Sequence, residues 1–164
     1  MTKSRFVIMK HEAKRAGLHY DLRFKKPNSN MWDSFAVPKG VPEKPGQKVL
    51  AVRTTLHTEK EALFTGTIKS GEYGAGKLTK FDGGSCDILK YTPAHIVLDF
   101  KGSKIKGIYH MVSTKISSRS SKDKEKAYFL FKGKVKTEGF TYFDDDDPEE
   151  ERDEEEETGF PQIY

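Results

Sequence analysis

The chain has 164 residues, of which 35% are hydrophobic and 33% charged, enough for one domain with its own core and too few for two. No apolar run reaches the length of a membrane span, and the N-terminus lacks the apolar region of a signal peptide, so we expect an intracellular protein that is neither secreted nor bound in a membrane. The single cysteine, Cys86, excludes an intramolecular disulfide and is typical of a reducing compartment.

The net charge of +4 is the balance of two oppositely charged regions. Residues 144–157 hold twelve acids and one base (−11), and residues 1–143 hold the other 13 acids and 28 bases (+15). A body this basic is typical of proteins that bind polyanions, because neutralised phosphates release counterions. We predict a folded domain over residues 1–135 and a disordered acidic tail with a short apolar tip over residues 136–164. The tail either competes with nucleic acid for the basic body or is a solubilising segment without a partner.

Short β-branched and aromatic runs between glycine- and proline-rich turns predict a mainly β domain. The predicted strands are residues 5–9, 18–24, 31–37, 48–55, 65–69, 77–81, 86–90, 95–101, 104–112 and 127–131. One helical turn is expected at residues 59–63, and long loops at residues 38–46 and 113–126. Many short strands without a sustained helical period favour a single-domain β-barrel or closed sandwich with short helical turns and long loops.

The second predicted strand, residues 18–24, alternates two kinds of side chain. Because successive side chains of a strand point to opposite faces, His19, Asp21 and Arg23 share one face. The opposite face is an apolar ridge suited to a core, made of Leu18, Tyr20, Leu22 and Phe24. Imidazole and carboxylate groups are ligands for divalent metals, and a guanidinium pairs with phosphate oxygens.

Two further imidazoles lie at the ends of predicted strands. His11 follows the first strand and brings a second imidazole towards His19 and Asp21, while His57 follows the strand 48–55. A metal held by two imidazoles and one carboxylate keeps open positions for water and substrate oxygens, and with Arg23 nearby it suits hydrolysis of a phosphate ester. For His57 two roles stay open, general acid for the leaving oxygen or donor to the phosphate. The alternative is that His19 and Asp21 merely hydrogen-bond across a sheet.

Several motifs in a fixed order strongly resemble the 3′-phosphoesterase domain of bacterial DNA ligase D and its stand-alone relatives. They are Lys10 and His11, then residues 18–23 and 34–40, followed by residues 50–53, His57, and residues 66–68 and 71–76. The resemblance implies a β-barrel with a manganese-dependent site that heals 3′ ends of DNA by removing a terminal 3′ ribonucleoside and then the remaining 3′-phosphate; zinc or cobalt are alternative metals. The implied metal ligands are His11, His19 and Asp21, and Arg23 and His57 are implied to hold and activate the phosphate.

The sequence departs from the family pattern at the implied phosphate contacts. Glu61 stands where the family has a tyrosine, which makes the phosphomonoesterase step less secure than metal binding or diesterase activity. Lys48 or Arg53 stands in for a basic residue expected before His57. Lys39 is expected on the approach surface for DNA backbone phosphates.

Two functions follow from the sequence. The first is a 3′-end-processing enzyme of DNA repair, a monomer near the nucleoid that acts on primer–template ends before a separate ligase or polymerase. The second is a catalytically impaired module that binds DNA ends and recruits repair partners. Glu61 favours the second, and the intact set of His11, His19, Asp21, Arg23 and His57 favours the first. Trp32, Tyr73, Phe81 and Tyr109 are interpreted as core residues rather than base-stacking platforms, and His95 and His110 as structural residues without partners.

Overall fold

The computed structural model describes residues 1–72, 75–114 and 127–133, and nine strands and one short helix lie in these ranges. The strands are β1 (Thr2–Ala13), β2 (Gly17–Lys25), β3 (Trp32–Val37), β4 (Lys48–Arg53), β5 (Gly66–Ile68), β6 (Gly76–Tyr91), β7 (His95–Lys101), β8 (Lys106–Ser113) and β9 (Ala127–Lys132), and the helix is α1 (Glu59–Ala62). None of the helical structure in these ranges is long and apolar enough to cross a bilayer. The predicted acidic tail and Tyr73 lie outside the described residues.

Eight of the strands close into an antiparallel barrel. Their order is β1, β2, β3, β4, β9, β8, β7 and β6, and β6 pairs back with β1 to complete the ring. The short strand β5 pairs with β6 outside this ring. The predicted mainly β barrel with a short helical turn is therefore confirmed.

The long strand β6 corrects the sequence prediction. We expected two strands joined by a turn at residues 82–85, but β6 runs unbroken, and Gly83 and Gly84 pair with Val7 and Phe6 of β1. A Cβ on Gly84 would lie 2.9 Å from the carbonyl oxygen of Lys101, at a backbone φ of +152°. The two glycines thus allow close packing of neighbouring strands here rather than reversing the chain.

The barrel interior holds the main hydrophobic core. Its fully buried members include Ile8, Leu22, Phe24, Phe35, Val37, Ile96, Ile105, Leu130 and, as predicted, Tyr109. Phe81 packs at the edge of this core. Leu18 was assigned to the same apolar ridge, and that prediction was wrong, since 53% of the residue is exposed where β2 extends past the core. The predicted strand 48–55 likewise ends earlier, at Arg53.

A smaller hydrophobic cluster lies outside the barrel. Val7 and Met9 alternate with interior residues along β1, so they face outward, and they pack with Trp32, Leu78 and Ala62 of α1. We call the outward face of β1, β2 and β3 the outer wall, and residues 54–68, which pack over it, the cover segment. Trp32 is a core residue of this cluster, as predicted.

His95 and His110 are partners of each other, against the expectation that each stands alone. Nε2 of His95 lies 2.9 Å from Nδ1 of His110, on neighbouring positions of β7 and β8. The His110 ring also stacks on Phe131, with centroids 5.2 Å apart. Burial, followed by the nearby charges of His95 and Lys90, lowers the pKa of His110 to about 3.

Candidate metal centre and phosphate site

Four of the predicted site residues, His11 of β1 and His19, Asp21 and Arg23 of β2, share the outer wall. In the β1–β2 pairing, Met9 lies opposite Asp21, Val7 opposite Arg23 and His11 opposite His19. Because paired residues share a face, the polar side of β2 lies beside the small outer cluster. Asp21 and Arg23 are nevertheless only 5% and 6% exposed. Asp21 contacts the two histidines, and Arg23 contacts the cover segment.

The carboxylate of Asp21 joins the two predicted metal-binding histidines. Its Oδ2 lies 3.1 Å from Nδ1 of His11, and its Oδ1 lies 3.2 Å from Nε2 of His19. The two imidazole centroids are 4.6 Å apart. Nδ1 of His19 also lies 3.3 Å from the carbonyl oxygen of Gly17, so hydrogen bonds at both nitrogens fix this ring.

Electrostatics in the cluster favour an ionised carboxylate. The hydrogen bond to Asp21 raises the pKa of His19 more than burial lowers it. Burial acts to raise the pKa of Asp21, yet the hydrogen bond from His19 and the charge of Arg23 outweigh it and leave this pKa lowered. A metal requires both an ionised Asp21, which these contacts favour, and a neutral His19, so metal binding has to displace the proton that Asp21 stabilises on His19.

The three side chains fit a divalent metal. One donor atom from each of His11, His19 and Asp21 lies within 4.8 Å of the others. Metal–ligand bonds of about 2.0–2.2 Å place neighbouring donors about 3–3.5 Å apart, so small side-chain rotations suffice to bring the three onto one ion. Two imidazoles and one carboxylate on one side of an ion leave its other positions open to water and substrate.

Arg23 connects the candidate metal ligands to the cover segment. Its Nε donates to Oγ of Ser34 at 3.2 Å, and its Nη1 donates to the carbonyl oxygens of Ala62 and Glu61 at 3.1 and 3.3 Å. Its Nη2 lies 3.4 Å from Oδ2 of Asp21. One guanidinium therefore holds the end of α1 next to the candidate metal ligands.

His57 reaches the same place from the cover segment. Its N–H donates to the carbonyl oxygen of Trp32 at 3.0 Å, and the N–H of Trp32 donates back to the His57 carbonyl oxygen at 2.8 Å. Burial and then the charge of Arg23 lower the pKa of His57, whereas Glu61 and Asp21 act to raise it. Glu61 connects these two predicted phosphate contacts, because its carbonyl oxygen accepts from Arg23 and its Oε1 lies 3.5 Å from Nδ1 of His57.

Glu61 makes contacts that the sequence analysis did not predict. Its Oε1 accepts from the backbone N–H of Thr58 at 3.0 Å, and its own N–H donates to Oγ1 of Thr58 at 3.2 Å, which forms a capping box at the start of α1. The same Oε1 lies 3.5 Å from Nδ1 of His57. The spacing of Thr58 and Glu61 was a sequence signal for this cap.

The other predicted basic contacts lie elsewhere. Arg53 pairs with Phe35, on the face of the sheet opposite the site, where its Nε and Nη2 donate to the carboxylate of Asp33 at 3.1 and 3.0 Å. Nζ of Lys48 lies 5.4 Å from the centroid of Phe131 on β9. Lys39 is exposed in the turn after β3. The structure does not bring Arg53 to the candidate metal ligands.

Ser34 is a site residue that the sequence analysis missed. Ser34 lies on β3 opposite Arg23, and its Oγ accepts a hydrogen bond from Nε of Arg23. The signal was present, because a hairpin centred on the turn at residues 27–30 places residues 23 and 34 opposite each other.

These features define a closed antiparallel barrel with a two-histidine, one-carboxylate cluster on its outer wall. Residues 9–113 match the family model of the DNA Ligase D 3′-phosphoesterase domain. The chain belongs to this family, which confirms the resemblance seen in the motifs.

Curated relatives are named multifunctional non-homologous end joining proteins LigD. The chain is 37% identical over 122 residues to the protein of Mycolicibacterium smegmatis, an alignment that covers 68% of this chain and 16% of the relative. It is 33% identical over 135 residues to that of Pseudomonas aeruginosa, covering 79% of this chain and 15% of the relative. The chain thus spans about one sixth of the length of these relatives.

Proposed function

We propose that this chain is a metal-dependent phosphoesterase that processes 3′ ends of DNA in end-joining repair. It removes a 3′-terminal ribonucleoside, a 3′-phosphate or both, and leaves a 3′-OH. The observation that carries the proposal is the cluster of His11, His19 and Asp21 on the outer wall, where Arg23 lies 3.4 Å from Asp21 and donates to the cover segment that holds His57. Family membership supports the same activity. Intracellular location near the nucleoid, a monomeric state and a ligase or polymerase acting next stay predictions.

Each side chain has a chemical role in this proposal. His11, His19 and Asp21 hold the metal, for which we propose Mn²⁺, with Zn²⁺ or Co²⁺ as ions that the same donors accept. The bound ion supplies Lewis acidity towards phosphoryl oxygens and acidifies a water molecule. Arg23 offsets the negative charge that develops on the phosphate. His57 donates a proton or a hydrogen bond on the side of the leaving oxygen.

The experiment uses a labelled primer–template that ends in one 3′ ribonucleotide, with and without Mn²⁺. We expect Mn²⁺-dependent conversion to a 3′-phosphate or onward to 3′-OH, and loss of product in Asp21→Ala. The control is Asp99→Ala, which removes a partly exposed carboxylate of β7 that lies outside the proposed site. Product that forms equally well in EDTA or in Asp21→Ala would refute the proposal.

A DNA-end-binding module without turnover is the second candidate. The feature that favours it is Glu61, a negative charge at a position where the resemblance implies a tyrosine. The same assay separates the two candidates, because tight binding of the primer–template with no product at any metal concentration would select the binding module. The roles proposed for the acidic tail stay predictions, since residues 136–164 lie outside the described ranges.

A further inference from the structure

We propose that Glu61 is a positioning and specificity-determining residue, whose carboxylate holds Nδ1 of His57 and makes the site prefer phosphodiesters to phosphomonoesters. This inference rests on the phosphoesterase function proposed above and names its preferred substrate class. Glu61 acts through His57 and does not itself contact the reacting atoms.

The carboxylate of Glu61 is held in place by its own helix. In the capping box, its Oε1 accepts from the N–H of Thr58 at 3.0 Å while Oγ1 of Thr58 accepts from the N–H of Glu61 at 3.2 Å. Two reciprocal hydrogen bonds restrict the side-chain rotamers, although 60% of the Glu61 side chain is exposed. The carboxylate is thus preorganised before any substrate arrives.

Helix α1 and His57 are fixed to the barrel by contacts that do not use the Glu61 carboxylate. Arg23 donates to two carbonyl oxygens at the end of α1, and Arg5 of β1 forms an ion pair with Glu59. The reciprocal backbone hydrogen bonds between Trp32 and His57 anchor the other end of the cover segment. The meeting of Glu61 and His57 therefore follows from the fold of the whole segment and is not set by one flexible side chain.

The contact between Glu61 and His57 favours a proton on Nδ1 of the His57 ring. Oε1 of Glu61 lies 3.5 Å from Nδ1 of His57, a distance that catalytic contacts often show before substrate binds and shorten afterwards. A carboxylate at Nδ1 favours the proton there and leaves Nε2 for the substrate. It also stabilises the doubly protonated ring, which can donate from Nε2 to a phosphate or leaving oxygen.

Three charged groups act on His57. They are Arg23 and Asp21 of β2 and Glu61 of α1. Burial and Arg23 disfavour the imidazolium, so a site without Glu61 holds a ring that is more often neutral. The carboxylate and the arriving phosphate anion together favour the protonated ring.

The same carboxylate discriminates between substrates by charge. A diester of DNA carries one negative charge, whereas a terminal phosphomonoester carries about 1.5 to 2 near neutral pH. Glu61 repels the additional charge, and a tyrosine at this position would donate a hydrogen bond to it. For a largely exposed carboxylate we expect this discrimination to be about three- to tenfold in kcat/KM.

The test compares three variants of the full chain. Glu61→Gln keeps the capping box, because glutamine also serves at this helix position, but it removes the charge. Glu61→Tyr restores the family residue. Thr58→Ala weakens the cap and keeps the carboxylate, so it reports what loosening of α1 does alone.

The first readout is ¹⁵N NMR of the His57 ring in the resting protein, assigned by comparison with His57→Ala. We expect Glu61→Gln to lower the pKa of His57 and to reduce the population protonated at Nδ1. Thr58→Ala should change both less, because the backbone N–H of residue 58 still donates to Oε1. An unchanged ring in Glu61→Gln, or an equal change in Thr58→Ala, would overturn the positioning role.

The second readout is the ratio of kcat/KM for a 3′-ribonucleotide diester to that for a 3′-phosphate end, measured with metal. We expect Glu61→Gln and Glu61→Tyr to lower this ratio about three- to tenfold. An unchanged ratio would overturn the specificity role. A wild-type protein inactive on both substrates would refute the proposed function, while the NMR readout would still decide whether Glu61 positions His57.

Discussion

The two faces of β2 have opposite characters and depend on different parts of the chain. Inside the barrel, Leu22 and Phe24 join a continuous hydrophobic core that the neighbouring strands complete. On the outer wall, Asp21 and Arg23 are buried as well, but Asp21 lies among His11, His19 and Arg23, and Arg23 lies against the cover segment. One face therefore supports stability through apolar burial, and the other holds charges that need partners.

The largest expected effect on stability lies in the interior. Phe35→Ala removes a fully buried ring that stacks near Phe24 and contacts Tyr128, so it should lower the free energy of unfolding by about 3–5 kcal/mol. Urea denaturation of the purified protein measures this loss. Leu50→Ala, at a position 44% exposed on β4, is the matched control and should cost far less. Equal losses would mean that the interior is not the main core.

On the outer wall, Arg23→Lys should loosen the cover segment. A single ammonium cannot reach Ser34, Asp21 and the carbonyl oxygen of Ala62 together, as the guanidinium does. We expect turnover to fall about tenfold and amide hydrogen exchange of Ala62 and Leu63 to become faster.

The control for this change is Arg53→Lys, which perturbs the ion pair with Asp33 on the opposite face of the sheet. It should destabilise the barrel without changing exchange in α1. If Arg23→Lys left exchange in α1 at the wild-type rate, the guanidinium would not hold the cover segment.

The smallest expected effect is a pH dependence of stability that arises from His110 of β8, which lies on neither face of β2. The pKa of His110 is about 3 in the folded chain, below the ordinary value of 6.5, so the unfolded chain binds a proton that the folded chain resists. Stability should therefore fall as pH decreases from about 6.5 towards 3, by about 1–2 kcal/mol at pH 5. Urea midpoints at pH 5 and 7 measure it, and His110→Gln should show a smaller difference. An equal difference in that variant would assign the effect to other groups.

The sequence predicts the parts of the site that depend on local alternation. Asp21 and Arg23 share a face because they lie two residues apart in a strand, and the hairpin from β1 to β2 brings His11 to His19. The same alternation identified Leu22 and Phe24 as interior residues. The alternation gives the wrong prediction for Leu18 because the core ends before this residue. The pattern along one strand does not show where the core ends.

Other features depend on contacts between distant residues. Gly83 and Gly84 suggested a turn, yet their backbone pairs with β1, which lies more than 70 residues away in sequence. The direction of Arg53 depends on how β4 pairs with β3, and residues 38–47 between them carry no pattern that sets this register. The contact of Glu61 with His57 requires the cover segment to fold over the outer wall, a tertiary event that no local motif specifies.

The central claim, that His11, His19 and Asp21 form a metal centre on the outer wall, is tested most directly by Mn²⁺ binding. Electron paramagnetic resonance of free Mn²⁺, titrated with the full chain, should show one tightly bound ion per chain. Asp21→Ala should abolish this binding while the circular dichroism spectrum stays that of the folded barrel, although the urea midpoint should fall because buried Arg23 loses its carboxylate partner. Undiminished Mn²⁺ binding by a folded Asp21→Ala variant would contradict the account.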